Sequence, residues 1–300
     1  MKFSFTKNNK IYLFITILLL ILSIISIAIW GLKLSIDFKG GTIIEYKLQD
    51  IEVEEFREYI DSLADKPKKV FFGNGNFKAL YDPLDEENIK AINLSLSEKF
   101  PNAIKISSET ISSDTGRSQA VSAMTAIFIA SAGIVLYLTY TFREVPKPFN
   151  SFQFGISAIL ALLHDALIVI GIFAILGHFW GIEIDLLFVT AILTVIGFSV
   201  HDTIVVFDRI REKAMLSRKS REVKLDMSQT IDESLHETLA RSIILTLTTV
   251  IVLVAMFLLG PVTLKWFIGA LLIGMISGTY SSIFVASQLL LLFQSRRIKK

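Results

Sequence analysis

Few residues in this chain can do chemistry, and most of them are embedded in apolar sequence. Gly197-Phe198-Ser199-Val200-His201-Asp202-Thr203 sets a histidine, a carboxylate and a hydroxyl side by side, about two helical turns before Asp208 and Arg209. Burial disfavours a charged carboxylate and a nearby cation favours it, so a group balanced between the two can bind and release protons near neutral pH. The chemistry this suggests is a proton relay. Asp202 would be the carrier and Thr203 a hydrogen-bond donor, with Arg241, at the start of a later apolar stretch, as counter-charge. The plainer readings are a purely structural charge pair for Asp202 and, for Arg241, an interfacial arginine snorkelling to lipid phosphate. His164-Asp165 lies near the middle of another apolar stretch. Ionisable groups at that depth are costly unless paired or hydrated, which makes the pair either part of the relay or a polar contact locking helices together.

Other motifs are less specific. Asp37-Phe38-Lys39-Gly40-Gly41-Thr42 follows the first apolar stretch, and its paired glycines permit a turn that other residues resist. No Gly-Lys-Ser/Thr follows, so it is not a phosphate loop. Ser242, Thr246 and Thr249 recur at i, i+4 and i+7, giving one helix a polar face that is a water path or a helix contact. Ala270, Gly274 and Gly278 form a small-residue stripe suited to close helix packing. Asp208-Arg209-Ile210-Arg211-Glu212 reads as a charged cytoplasmic helix exit, and His178 and His236 as interface residues. No metal-ligand spacing is present. With 0 cysteines, thiol catalysis, disulfides and iron–sulfur clusters are excluded. No cofactor is implied.

The elements that must hold these groups are membrane helices. Of 300 residues, 52% are apolar and 19% charged, and the mean hydropathy is +0.59. That composition excludes a disordered chain and argues against a soluble enzyme. The net charge of +2 implies no nucleic-acid partner. Ile11–Trp30 carries no charge over 20 residues, and Ile29-Trp30 at its end does not suit a signal-peptidase site, so a retained span is expected. Five more follow at about Ser118–Phe142, Phe152–Gly177, Leu186–Phe207, Ser242–Gly260 and Trp266–Phe293. Lysine and arginine cluster at Lys2, Lys7 and Lys10, at Arg143 and Lys147, from Arg209 to Lys224, and from Arg296 to Lys300. The bias puts both termini in the cytoplasm.

The polar stretch after the first span then lies outside. Thr42–Tyr46, Val70–Phe72, Phe77–Tyr81 and Ala103–Ile106 read as strands, with an Asn74-Gly75 hairpin signal. Glu52–Leu63 and Glu86–Phe100 read as helices, the first with Val53, Phe56, Tyr59, Ile60 and Leu63 at helical spacing. The order β-α-β-β-α-β is the ferredoxin-like pattern. The predicted fold is a mainly α membrane protein of six transmembrane helices with a small α+β ferredoxin-like extracytoplasmic domain. Its parts are 1–30 (cytoplasmic N-terminus and first helix), 31–117 (outer domain) and 118–300 (five-helix membrane region).

Taken together, these motifs resemble the SecD/SecF family of protein-export membrane proteins, of the resistance-nodulation-division superfamily, and its smaller SecF-type members in particular. The likeness rests on Asp37–Thr42, on Ala161-Leu162-Leu163-His164-Asp165, on Val195 through Glu212, and on Arg241-Ser242 with Thr246, Thr248 and Thr249. It implies a non-enzymatic subunit of the bacterial cytoplasmic (inner) membrane. That subunit would pair with SecD, associate with the SecYEG channel, and use the proton motive force to promote export of a translocating preprotein, while SecA pushes with ATP. Asp202 becomes the proton carrier and Arg241 its partner. Asp37, Gly40 and Gly41 become the hinge between outer domain and membrane. The family usually has asparagine where His201 stands here, so His201 would either join the relay or act on Asp202 through its charge. Two other readings remain: a small-molecule proton antiporter of the same superfamily, and a passive membrane-protein assembly factor.

Overall fold

The structure, a computed structural model, describes residues 4–48, 52–73, 76–143, 145, 150–219 and 226–298. The Asn74-Gly75 turn, Lys2, Lys147, Arg221, Lys224, Lys299 and Lys300 lie outside the described residues. The chain divides into two compact units, Leu34–Thr125 and the joined stretches Met1–Lys33 and Ala126–Lys300.

The smaller unit begins with α2 (Ile36–Lys39) and runs β1 (Gly41–Leu48), α3 (Val53–Ser62), β2 (Lys69–Gly73), β3 (Asn76–Tyr81), α4 (Glu86–Lys99) and β4 (Ala103–Ile111). The four strands form one antiparallel sheet in the order β2-β3-β1-β4. Alternation places Ile44 and Tyr46 of β1, with Phe77, Ala79 and Tyr81 of β3, on the face that α3 and α4 cover with Phe56, Ile60, Ile92 and Leu96. Phe56 meets Phe77 edge-on at 4.7 Å. Asp85 caps α4 by accepting from the Asn88 N–H at 2.9 Å. β4 runs to Ile111, five residues past the expected end. The continued pairing of Gly41–Glu45 with Ser107–Ile111 carries it on, although little of β4 is buried.

The larger unit contains α1 (Asn9–Trp30), most of α5 (Ser113–Thr141), α6 (Ser151–Trp180), α7 (Leu186–Lys219) and α8 (Met227–Leu259). A last helical stretch comprises α9 (Lys265–Ser281), a π turn (Ser282–Ala286) and α10 (Ser287–Ile298). Among the described residues, six helices are long and apolar enough to cross a membrane. The last stretch, α6 and α7 are the most buried of the six. Close approaches between helices require small residues. A Cβ on Gly171 would sit 2.4 Å from Ser23 Cβ of α1, and one on Gly274 would sit 2.2 Å from Val195 Cγ2 of α7. The small-residue stripe therefore packs as expected.

Helix boundaries differ most at the charged end of the bundle. α7 continues 12 residues past Phe207, and α8 begins 15 residues before Ser242. Both extensions stay helical because their charges pair across the gap. Arg209 pairs with Glu237, and Lys213 Nζ lies 2.8 Å from Glu237 and 2.9 Å from Glu233. Asp226 caps α8 through the Ser228 N–H. Beside this layer Asp232 accepts from Ser4 Oγ at 2.5 Å, the Thr6 N–H at 2.8 Å and Thr6 Oγ1 at 3.0 Å, while buried Phe5 packs on His236 and Phe284.

Candidate functional site

Among the described residues, two carboxylates are buried inside the bundle. Asp165, on α6, has no exposure and is surrounded by donors. Ser277 Oγ donates to Oδ1 at 2.9 Å, and Ser199 and Ser281 each donate to Oδ2 at 2.6 Å. His164 Nδ1 lies 3.1 Å from Oδ1. Asp202, on α7, is 6% exposed and takes two serine donors. Ser242 Oγ of α8 reaches Oδ1 at 2.5 Å, and Ser282 Oγ, at the head of the π turn, reaches Oδ2. Intramembrane carboxylates face a bundle interior because lipid offers them no donors. Asp165 finds two of its donors on α9 and one on α7, while Asp202 finds one on α8 and one in the π turn that follows α9. The stripe that lets α9 approach α7 also places Gly278 against Ser199.

The expected counter-charge is elsewhere. Arg241 is exposed, and among the described residues no ion pair joins it to Asp202. One residue along an α-helix is a rotation of about 100°. Ser242 therefore faces inward to the carboxylate, while Arg241 turns into a groove of about 670 Å³ that it lines with Thr141, Val205, Asp208, Arg209 and Glu237. The same rotation separates Asp202 from His201, which is exposed. Thr203 is buried, but Asp202's hydrogen bonds come from the two serines. The polar face of α8 is not a single path: Thr246 hydrogen-bonds Thr279 across helices at 2.6 Å, while Thr249 donates to its own backbone at Leu245.

Asp208 pairs with Arg211, and Arg209 with Glu212 as well as Glu237, so the charged exit is a solvent-exposed layer of ion pairs within α7 and between α7 and α8. His178 stacks on Trp30 at 5.2 Å. No cluster of metal-ligating side chains occurs among the described residues.

In the smaller unit Asp37 lies in the single turn of α2, where Ser35 Oγ accepts its N–H at 3.2 Å. Gly40 ends that turn at φ +76°. A Cβ there would sit 2.7 Å from the Ser113 backbone, and one on Gly116 would sit 2.8 Å from Gly40 N. Gly40 and Gly116 thus let the start of the sheet lie close against the start of α5. Gly116 was not anticipated from the sequence, and neither were Ser277, Ser281 and Ser282. Ser277 and Ser281 do sit at i and i+4 beside the small-residue stripe, a pattern that could have marked them.

With six membrane-capable helices, a small antiparallel sheet and paired intramembrane carboxylates, the chain matches two family models. Protein export membrane protein SecD/SecF, C-terminal, matches residues 91–296, and the SecD/SecF GG motif matches residues 25–50. The chain belongs to the SecD/SecF family. It is 39% identical to the protein translocase subunit SecF of Thermobaculum terrenum over 94% of this chain and 91% of that one. It is 32% identical to protein translocase subunit SecDF of Bacillus subtilis, covering 100% of this chain and 39% of that longer one. The crystal structure of SecDF from Thermus, described as a translocon-associated membrane protein, superposes with a TM-score of 0.84 at 29% identity, over 99% of this chain and 39% of that one.

Proposed function

We propose that this chain is a proton-driven, non-enzymatic subunit of a bacterial protein translocase. The observation that carries the reading is the chemistry of the buried carboxylates. Asp165 and Asp202 are held by neutral hydroxyls and one imidazole, and among the described residues neither is ion-paired to lysine or arginine. Such a carboxyl can gain or lose a proton without leaving an unpaired buried cation behind. Asp202 is the proton carrier. It is bonded from α8 and from the π turn of the last helical stretch, so a change in its charge acts on the packing of α7, α8 and that stretch together.

A SecD-type protein supplies the partner half, a pairing supported by the fused SecDF relatives, of which this chain covers 39%. Both termini and the ion-pair layer of Arg209, Lys213 and Glu237 face the cytoplasm. The smaller unit, whose strand order fits a ferredoxin-like domain, stands outside and acts on the emerging preprotein at SecYEG. Asp37, Gly40 and Gly41 transmit the motion, a role supported by the close approach of Gly40 to the Ser113 backbone at the start of α5.

The test uses membrane vesicles lacking the native subunit, supplied with wild-type protein or Asp202→Asn, with and without an imposed proton gradient. Gradient-dependent export disappears in Asp202→Asn at equal protein level. Equal export by both proteins overturns the reading and favours a passive assembly factor, while gradient dissipation without preprotein favours an antiporter.

A further inference from the structure

Asp165 and Asp202 are joined by two short bridges. Ser281 and Ser282 are consecutive residues, and Ser281 donates to Asp165 while Ser282 donates to Asp202. Ser199 also donates to Asp165 and sits one helical turn before Asp202 on the same helix. A change at the Ser281 bond of Asp165 or at the Ser282 bond of Asp202 therefore acts on a residue adjacent in the chain to one that holds the other carboxylate.

Each of the paired serines also has a second acceptor. Ser281 Oγ lies 3.1 Å from Gly278 O, and Ser282 Oγ lies 3.1 Å from Thr279 O. A hydroxyl has one proton and two lone pairs, so it donates to the carboxylate or to the carbonyl, and can accept in the meantime. When the carboxylate is ionised, the serine donates to it. When hydronium gives a proton to the carboxylate oxygen and leaves as water, the carboxylic O–H donates to the serine oxygen and the serine proton turns to the carbonyl. No hydrogen bond is lost in either state, and no covalent bond other than the new O–H is made. The two carbonyls belong to consecutive residues of one turn, directly before the π turn that opens at Ser282. Single π turns inside α-helices are frequent at functional sites.

We infer that Ser281 and Ser282 are positioning residues that couple Asp165 and Asp202 into one pair of interdependent protonation sites. This deepens the proton-driven reading and rests on it. The titratable and charged groups on the surrounding elements are His164 with Asp165 from α6, Asp202 from α7 with His201 turned outward, Arg241 from α8 facing the groove, Tyr12 from α1 and Tyr280 from α9. His164 is 1% exposed, and its Nε2 has no hydrogen-bond partner among the described residues, so within the bundle its bond to Asp165 is its link to the pair.

The test is an infrared pH titration of the purified full chain in lipid vesicles, following the C=O band of protonated carboxyls. Asp165→Asn and Asp202→Asn each identify one component of the band. Ser281→Ala removes a hydroxyl that touches Asp165 and not Asp202. The result expected is that it changes the midpoint of both components, the Asp165 one by roughly half a pH unit or more, about threefold in proton affinity. Ser281→Thr, which keeps the hydroxyl, restores both. Ser199→Ala gives the same two-component change by the other bridge and serves if Ser281→Ala does not fold. A change confined to the Asp165 component in both alanine variants, or no change, overturns the inference. If Asp202→Asn still loses gradient-driven export in that case, the proton-driven reading stands without the coupling. If it retains gradient-driven export, that reading is the one that fails.

Discussion

Ser281 and Ser282 are neighbours in the chain but hydrogen-bond to carboxylates on different helices, Ser281 to Asp165 on α6 and Ser282 to Asp202 on α7. Consecutive helical residues point about 100° apart, and α9 packs against both helices, so one short segment serves two buried acids. The close packing that makes this possible is itself testable.

Gly274 is where α9 meets α7. An alanine methyl there overlaps the whole Val195 side chain, with atoms at 2.2, 2.6 and 2.9 Å. Gly274→Ala is expected to destabilise the bundle by about 1–3 kcal/mol, as overpacking of a filled interface does. Adding Val195→Ala should return most of that loss. Thermal unfolding of the purified protein in detergent reads both variants.

Gly40→Ala and Gly31→Ala separate strain from collision. Both glycines have positive φ, +76° and +64°, so either alanine carries about 1–3 kcal/mol of backbone strain. Only at Gly40 does the methyl also meet backbone, that of Ser113 at 2.7 Å, whereas nothing lies within 4 Å at Gly31. Gly40→Ala should therefore be the more destabilising, and should speed amide exchange in Gly41–Leu48. Equal effects would show that the close approach of Gly40 to Ser113 yields freely.

The smaller unit should weaken in alkali. Burial pushes the phenols of Tyr46 and Tyr81 well above the ordinary tyrosine value, and each also lies near further groups that disfavour a phenolate. Their contribution is fully present below the unfolded value of about 10 and is lost as pH rises beyond it. Tyrosinate absorbance should thus appear together with loss of the sheet, not before it.

The two tyrosines should respond oppositely to phenylalanine. Tyr46 Oη donates to Asn93 Oδ1 at 2.7 Å, so Tyr46→Phe costs about 1 kcal/mol. Tyr81 Oη is buried with no hydrogen-bond partner among the described residues, so Tyr81→Phe is neutral or stabilising by about 1 kcal/mol. Denaturant titration followed by exchange of β3 amides distinguishes them.

Asp232→Ala should free the N-terminal segment. Three donors from Ser4 and Thr6 converge on this one carboxylate, and Phe5 is buried beside it. Amide exchange at residues 4–7 should rise many-fold while that of α6 stays unchanged. Protection of Thr6 in the variant would mean that the Phe5 packing alone holds the segment.

Apolar run length and strand alternation are local properties, and they were legible along the chain. The six helices, the order of strands and helices in the smaller unit, the glycine pair and both intramembrane acids could be read because each depends on residues near one another in sequence. Helix ends were less legible. α7 and α8 extend beyond the apolar runs because Arg209 and Lys213 meet Glu233 and Glu237 across the gap, a pairing that no single segment contains. The partners of the acids were hidden for the same reason. Charge pattern pointed to Arg241 for Asp202, but the phase of α8 turns Ser242 inward and Arg241 out. Residue types alone determined that acids would be buried in the bundle. Which groups solvate them was decided by tertiary packing, because Ser242 comes into reach only when α8 packs on α7, and Ser277, Ser281 and Ser282 only when the last helical stretch closes on α6 and α7.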